Sequence, residues 1–387
     1  MTVAQIYGIM NDVTQEILGE TAVLQEDLSN IVDIGTAIFN ATTVDNYVKG
    51  LLNQVGRVVF VNRPYVGRVP SVLMDSWEFG SVLMKVRADL PEATENESWE
   101  LEPNTIYDCQ QFYKPAVHAK FFNKKITFEV PISFAEMQVK ESLQSAEQLN
   151  GFLSMLYNAV DKAMQIKLDA LVMRTINNFI AQTIHDDVTG VRAVNLLSLY
   201  NATRAQVDQI ATKEEAIATP AFLRFASYTL GLYVDRLASI TTLFNAGGTE
   251  KQTPADMLHT VLLSEFKQAA GVYLYDAANQ FNVSNIRLPE AETVAYWQGS
   301  GTDFSFDSTS KIHVKTVDGD EVEQDGIIAV MFDRDALGVT NMNRRTTSNY
   351  NPKAEFYTNW NKMDAGYFND FDENFVVFYI GEDSSGE

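Results

Sequence analysis

The segment from Phe152 to Thr189 contains neither glycine nor proline, and it constrains the fold more than any other part of the chain. Apolar residues recur in and just before it at spacings of three and four: Leu149, Leu153, Leu156, Val160, Met164, Leu168 and Leu171. This spacing predicts an amphipathic α-helix. About 35 helical residues span roughly 50 Å at 1.5 Å per residue. Because that length exceeds the core of an ordinary domain, we expect a spine along which other elements pack.

Two short apolar runs near the C-terminal end predict buried strands, IIAVMF from residue 327 and FVVFYI from residue 375. The segment between them is dense in Asn, Tyr, Phe and Trp, and it holds no pair of a nucleophile and a base. Two core strands that bracket an aromatic, hydrogen-bonding segment suggest a surface that docks on another protein.

A long β-hairpin is predicted upstream of the spine helix, with arms at 78–90 and 116–130 that are rich in β-branched and aromatic residues. Acids without any base occupy its tip and approaches: Asp89, Glu92, Glu95, Glu97, Glu100, Glu102 and Asp108. The stems carry the bases Lys85, Arg87, Lys114, Lys120, Lys124 and Lys125. An isolated hairpin is marginal in water, so we expect this one to lean on another surface, with Trp99 as an anchor. A solvated loop is the alternative.

Other patterns predict the remaining elements. Residues 1–55 form an arm with short helical stretches, whose apolar stripe is covered either by its own domain or by a neighbouring subunit. Thr219-Pro220 and Thr253-Pro254 are typical helix starts. TVLLS (260–264) predicts a buried strand, KIHVKTV followed by DGD predicts a strand and a turn, and the tail GEDSSGE is expected to be disordered.

Composition narrows the possible functions. The formal net charge of −22 disfavours binding to nucleic acid or to an anionic membrane. A single cysteine, Cys109, excludes an intrachain disulfide. Neither a basic signal sequence nor an apolar run of about 20 residues is present, which favours a protein made in a cytoplasm.

Enzyme signatures are also missing. The sequence contains no phosphate-binding glycine loop, no HExxH and no GxSxG, and its four histidines are scattered: His118, His185, His259 and His313. The best metal candidate is DGDEVEQDG, with Asp318, Asp320, Glu323 and Asp325 as possible oxygen ligands. Its order differs from that of an EF-hand, and a turn between strands explains it better. We therefore predict no catalytic, cofactor or metal site.

Residues 325–380 resemble the C-terminal part of the major capsid proteins of tailed bacteriophages, which share the Hong Kong 97-type fold. The order of arm, projecting hairpin, spine helix, α/β region and returning strand pair is similar over essentially the whole chain. The resemblance implies an α+β fold with five parts: an N-terminal arm and lead-in strand (1–71), an extended loop (72–131), a peripheral domain with the spine helix (132–215), an axial domain (216–324), and strands returning to the peripheral domain (325–387), with a peripheral loop near 350–361.

The same resemblance implies a major capsid protein. Pentamers and hexamers of the chain are expected to form an icosahedral head around packaged double-stranded DNA, without enzymatic activity or covalent cross-links. A separate scaffolding protein and a portal protein are the expected partners, with assembly in the host bacterial cytoplasm and the virion as the final location. The alternative of the same fold is an encapsulin-like compartment shell. A surface-array protein and a metal-dependent hydrolase have less support.

The resemblance and the charge pattern together predict residues at subunit contacts. These are Glu95, Glu97, Trp99, Glu100, Glu102, Arg344, Arg345, Tyr350, Lys353, Tyr357 and Trp360. Among them, Arg344, Arg345 and Lys353 are expected to receive the acidic hairpin tip of a neighbouring subunit.

Overall fold

A computed structural model describes residues 69–74, 83–91, 93, 95–96, 98, 100–106, 110, 112–135, 146–187, 189–273, 291–297 and 310–381. The arm predicted for 1–55, and all but the first residue of the tail GEDSSGE, lie outside the described residues.

The described residues form a mixture of helices and strands. The helices are α1 (Ala146–Asp186), α2 (Leu196–Ala202), α3 (Lys213–Ala218), α4 (Pro220–Leu237) and α5 (Ser264–Tyr273). The strands are β1 (Leu73–Met74), β2 (Leu83–Ala88), β3 (Val117–Phe122), β4 (Lys125–Ala135), β5 (Ala193–Asn195), β6 (Leu258–Leu263), β7 (Glu292–Val294), β8 (Ile312–Lys315), β9 (Glu321–Gln324), β10 (Ile327–Asp333), β11 (Leu337–Asn351), β12 (Phe356–Asn369) and β13 (Phe375–Tyr379). No helix in this part of the chain combines the length and apolarity that a membrane span requires.

A five-stranded sheet in the order β5-β13-β10-β6-β7 forms the centre of the molecule. Strand β10 runs antiparallel to both β13 and β6, and the outer strands β5 and β7 are added in parallel. Every residue of β10 is buried, because α1 covers one face of the sheet while α2, α4 and α5 cover the other. A strand covered on both faces has no polar side, which explains the uninterrupted apolar runs. Both predicted core strands are confirmed.

Helix α1 is the predicted spine. Its 41 residues span about 60 Å at 1.5 Å per residue. Its C-terminal half is buried on nearly all sides because it packs against strands of both larger sheets. Buried polar residues on this half are hydrogen-bonded: Thr175 donates to the carbonyl of Leu171, and the Asn177 amide donates to the carbonyl of Trp297, both at 2.8 Å.

A four-stranded sheet in the order β1-β11-β12-β4 packs on the same helix. Strands β11 and β12 form one long antiparallel hairpin, paired from Leu337↔Asn369 to Asn351↔Phe356. Inside it, Val339, Met363 and Ala365 join the core cluster of α1. The segment that the sequence marked as a docking surface is therefore mostly a strand pair.

The prediction of a helix start at Thr253-Pro254 is wrong. A turn follows Pro254, strand β6 comes next as the TVLLS pattern predicts, and helix α5 begins only at Ser264. The Thr253 hydroxyl donates to Asp333 Oδ2 at 2.7 Å and accepts from the Asn374 amide at 3.1 Å. Because these distant partners occupy the hydroxyl, it does not cap a helix.

The second hairpin arm differs from the expectation, and the expected domain ranges stay predictions. The second hairpin arm divides in two: β3 pairs with β2, whereas β4 pairs with β12 in the four-stranded sheet. Strands β10 and β13, expected to return to the peripheral domain with the rest of 325–387, share their sheet with β6, which lies in the range expected to be axial. Of the described strands after residue 325, β11 and β12 are the two that join the sheet that contains β4.

Candidate assembly surface

Strands β2 and β3 form a separate two-stranded ribbon, paired antiparallel from Leu83↔Phe122 to Ala88↔Val117. Successive side chains of a strand point to opposite faces, so the ribbon has two faces of different character. One face carries Lys85, Arg87, His118 and Lys120, with Leu83 and Phe122 at the end of the ribbon. The other face is entirely apolar: Met84, Val86, Ala88, Val117, Ala119 and Phe121.

The apolar face of the ribbon is uncovered among the described residues. The four large side chains on it (Met84, Val86, Val117 and Phe121) have exposed fractions between 56% and 64%. This is the reverse of the usual arrangement, in which a half-buried strand turns its apolar side inward. An exposed apolar surface of this kind is a candidate interaction site.

The polar face of the ribbon rests on the turn between β12 and β13. We define the lysine–carboxylate cluster as the residues of this contact: Lys85, Lys120, Lys251, Asp370, Asp372 and Glu373.

The distances within this cluster are those of close ion pairs. Lys85 Nζ lies 2.9 Å from Asp370 Oδ2 and 2.5 Å from Glu373 Oε1. Lys120 Nζ lies 2.8 Å from Asp370 Oδ1 and also contacts Asp372. Lys251 Nζ lies 2.6 Å from Glu373 Oε1. The side chains of Asp370 and Glu373 are only 3% and 6% exposed, so water contributes little to their solvation.

The ionisation of the cluster follows from these contacts. Burial raises the pKa of Asp370, but hydrogen bonds and attraction from Lys120 and Lys85 outweigh it and hold that pKa below its ordinary value. Burial lowers the pKa of Lys85, whereas Glu373 and Asp370 raise it, and the net pKa is raised. Asp370 and Lys85 are therefore both charged at neutral pH.

The loop beyond the ribbon is also exposed, with apolar side chains at Leu90, Leu101, Ile106, Phe112 and Tyr113. Of the contact residues predicted here, Glu95, Glu100 and Glu102 are exposed, whereas Glu97 and Trp99 lie outside the described residues.

The predicted basic contact residues of the β11–β12 hairpin have partners in their own chain. Arg344 is only 10% exposed and its guanidinium lies 4.0 Å from Asp161 of α1. Arg345 forms an ion pair with Asp364 across the hairpin. This placement does not favour Arg344 as a receiver of a neighbour's acidic tip. Lys353 remains as an exposed cation in the hairpin turn.

The predicted aromatic contact residues of the hairpin differ in burial. Tyr357 is buried, with its ring centroid 4.8 Å from that of the partly buried Tyr350. Trp360 is partly exposed on the opposite face of β12. Tyr350 and Trp360 thus stay candidates for contact, and Tyr357 supports the hairpin from within.

The acidic segment DGDEVEQDG begins in the turn between β8 and β9, where Gly319 has a φ of 100°, and continues through β9. The structure brings a histidine to this turn that the sequence left unpaired: His185 lies 2.9 Å from Asp186 and 3.2 Å from Asp320. His185, Asp186 and Asp318 present ligand atoms within 4.8 Å of one another. The contacts of His185, which raise its pKa, fasten the turn to the end of α1.

A second apolar surface lies along α4. A groove of about 660 Å³ is lined chiefly by apolar side chains, among them Leu199, Phe225, Tyr228, Leu232 and Leu243.

The sequence profile of the Phi29-like phage major capsid protein family matches residues 9–379. The chain belongs to this family. No curated protein matches the sequence significantly. Membership of a capsid protein family implies a structural rather than an enzymatic role, and it agrees with the resemblance noted in the C-terminal segment.

A solved structure of a phage particle contains a chain with a similar fold. A chain of the structure of head fiber and inner core protein gp22 of native bacteriophage P68 superimposes with a TM-score of 0.51 at 11% identity, covering 83% of this chain and 86% of its own. A chain of the capsid structure of Staphylococcus phage Andhra gives a TM-score of 0.48 at 11% identity, with 82% and 86% covered. At such identity the likeness concerns the fold alone.

Sequence reasoning missed the residues that make the uncovered apolar face of the ribbon. The alternation in LMKVRA, residues 83–88, separates Met84 and Val86 from Lys85 and Arg87, and it was a usable signal. The pattern does not say which side faces solvent. The burial of Asp370 and Glu373 carries no local signal, because it depends on lysines far away in sequence.

Proposed function

We propose that this chain builds the icosahedral head of a tailed phage, in which its pentamers and hexamers enclose the packaged double-stranded DNA. The observation that carries the proposal is the apolar face of the ribbon, which no described residue covers, in a member of a major capsid protein family. A second copy of the chain is the occupant that a shell supplies at every such face. The acidic net charge suits a lining that does not bind the packaged DNA tightly.

The energetics suit a contact that forms only on assembly. Burying a large apolar side chain contributes on the order of 1.5–3 kcal/mol, from which ordering costs must be subtracted. The four large side chains of the apolar face therefore supply a moderate term for one contact. Ring-forming contacts repeat that term around each capsomer, so a modest interface becomes a stable shell.

The Hong Kong 97-type layout is part of the proposal. We assign α1 as the spine, the sheet β1-β11-β12-β4 as the peripheral domain, the five-stranded sheet with α2 to α5 as the axial domain, and the ribbon with its loop as the extended loop. A separate scaffolding protein and a portal protein complete the assembly in the host cytoplasm, and the virion head is the final location.

Electron microscopy and light scattering of the purified chain, alone and co-expressed with the proteins of its gene neighbours, test the proposal. We expect closed shells or rings of five and six subunits. Val86→Glu places a charge on the apolar face and is expected to leave unassembled chain. The matched control Val207→Glu changes another exposed valine, in the turn Gln206–Asp208, and is expected to assemble normally.

A stable monomer from the unaltered chain under both conditions would refute the proposal. Assembly of Val86→Glu at the normal yield would remove the ribbon face from it. The content of the particles separates a phage head from an encapsulin-like compartment, since the first holds DNA and the second holds a cargo enzyme.

A further inference from the structure

The ribbon is attached to the rest of its chain by charge and not by its apolar surface. Its apolar residues face away, and its polar face meets the β12–β13 turn through Lys85 and Lys120. One aromatic contact accompanies them, between Phe122 and Phe368 at 5.0 Å. Among the described residues, the lysine–carboxylate cluster is therefore the main attachment of the ribbon at this end.

The turn that receives the lysines is rigidly built. The Asp370 N–H donates to the carbonyl of Ala336 at 2.7 Å, and the Glu373 N–H donates to the carbonyl of Asp370 at 3.1 Å. A neighbouring loop closes over it at Gly247, where a side-chain Cβ would lie 2.6 Å from Asp372 Oδ1. These contacts hold the turn that carries the carboxylates, and none of them involves the ribbon lysines.

The charges of the cluster balance only when the ribbon is seated. Three ammonium groups face three carboxylates, and two of those ammonium groups come from the ribbon. If the ribbon moved away, Glu373 would keep Lys251 among the described residues, whereas Asp370 would lose both of its lysines. Removing the cations from a close network of ion pairs is unfavourable, so these contacts favour the seated orientation of the ribbon.

We infer that the lysine–carboxylate cluster is a latch that fixes the angle at which the ribbon presents its apolar face, and that this angle selects the geometry of the assembled particle. The inference rests on the proposed function, since the angle matters only if the apolar face meets a second copy. A loosened latch leaves the apolar face intact and lets it meet its partner at many angles. The product is then assembly with the wrong curvature, not loss of association.

The test uses the full chain with the double substitution Asp370→Asn and Glu373→Gln, which keeps shape and removes both buried charges. The control is Glu129→Gln with Asp364→Asn, which removes two carboxylates of ion pairs on the four-stranded sheet and changes net charge equally. Hydrogen exchange followed by mass spectrometry on the unassembled chain measures the latch. Electron microscopy of assembly products measures its consequence.

We expect exchange in peptides covering β2 and β3 to accelerate at least tenfold in the latch variant, with β10 and β13 unchanged. Its particles are expected to vary in diameter or remain open, whereas the control gives the particles of the unaltered chain. Unchanged ribbon exchange would overturn the latch. Faster ribbon exchange with particles of normal size would overturn its role in assembly.

Failure of the proposed function gives a different result. In that case the unaltered chain forms no particle, while the exchange experiment still reports on the latch. Acceleration across β10 and β13 as well would mean that Asp370 and Glu373 hold the whole fold, and this too would overturn the inference.

Discussion

The five-stranded sheet and the ribbon contain similar strand residues, but the sheet buries its apolar side chains and the ribbon exposes them. Strand β10 buries all of its residues between helices, whereas β2 only partly buries its lysine side and exposes its apolar side. Aromatic rings join the sheet to helix α1: Phe179 of α1 and Phe375 of β13 stack with centroids 4.0 Å apart, and the ring of Phe332 lies 5.8 Å from that of Phe375. In the ribbon, ion pairs hold the strands to the body. The sheet is therefore covered on both faces within one chain, whereas the apolar face of the ribbon is uncovered among the described residues.

The largest expected effect comes from removing one aromatic ring in each region. Phe375→Ala should lower the free energy of unfolding by about 3–5 kcal/mol, because it opens a cavity in a closely packed stack. Phe121→Ala should change that free energy by only about 0.5 kcal/mol, because the ring is largely exposed. Urea denaturation of the unassembled chains measures both values. Equal losses would show that the ribbon is part of the folding core and would end the comparison.

A smaller effect is expected when valine is replaced by threonine in each region. This substitution keeps the shape of the side chain and replaces one methyl group by a hydroxyl. At Val377, which is fully buried, we expect a loss of about 1–3 kcal/mol because the hydroxyl is desolvated. At Val86 we expect no measurable loss of stability, together with a higher threshold concentration for assembly. Denaturation and concentration-dependent light scattering provide the two readouts. A stable Val377→Thr variant would indicate that the sheet contains room for a polar atom.

Acid titration tests a polar contact at the rim of the buried sheet. Burial raises the pKa of Asp325, but Ser310, Lys213 and the Gly326 N–H outweigh it and lower that pKa to about 2. A carboxyl with a depressed pKa contributes stability above its ordinary pKa of 3.8 and loses it as pH falls towards 2.

The matching variant is Asp325→Asn, expected to cost about 1 kcal/mol or less at neutral pH because solvent screens a half-exposed pair. The difference from the unaltered chain should shrink between pH 4 and pH 2. Thermal unfolding at pH 6, 4 and 2.5 measures it, and a difference that stays constant with pH would contradict the assignment.

The smallest effect is expected on the outer surface of the four-stranded sheet. Lys362 and Glu129 form an ion pair at 3.1 Å between β12 and β4. Glu129→Gln should change the free energy of unfolding by less than about 0.5 kcal/mol, because exposed ion pairs contribute little. Denaturation in low and high salt checks this value. A loss above about 1 kcal/mol would show that this ion pair stabilises the fold as much as a buried contact does.

The sequence pattern correctly predicted the elements whose formation depends on neighbouring residues. The spine helix, the buried strands at 327 and 375, the strand within TVLLS and the turn at Gly319 all follow from periodicity or turn chemistry. Prediction failed where a distant partner decided the outcome. Thr253 has the signature of a helix cap, yet Asp333 and Asn374 occupy its hydroxyl. The second hairpin arm divides because β12 offers β4 a longer pairing than the ribbon does.

The candidate site shows the same division. The sequence placed bases on the hairpin stems and acids at its tip, and the segregation is real. It could not show that Lys85 and Lys120 meet Asp370, because 285 and 250 residues separate these partners. The intersubunit roles of Lys353, Tyr350 and Trp360 stay predictions.

By itself, the sequence determined what each strand can become, since period-two alternation and unbroken apolar runs are properties of neighbouring residues. The chain's membership of a phage capsid family also lies in the sequence, in a profile that spans nearly its whole length. The tertiary structure alone decided which side of the ribbon faces outward. That choice depends on where the buried carboxylates at 370 and 373 stand, because two charges inside the protein require cations more than the ribbon requires cover for its apolar face.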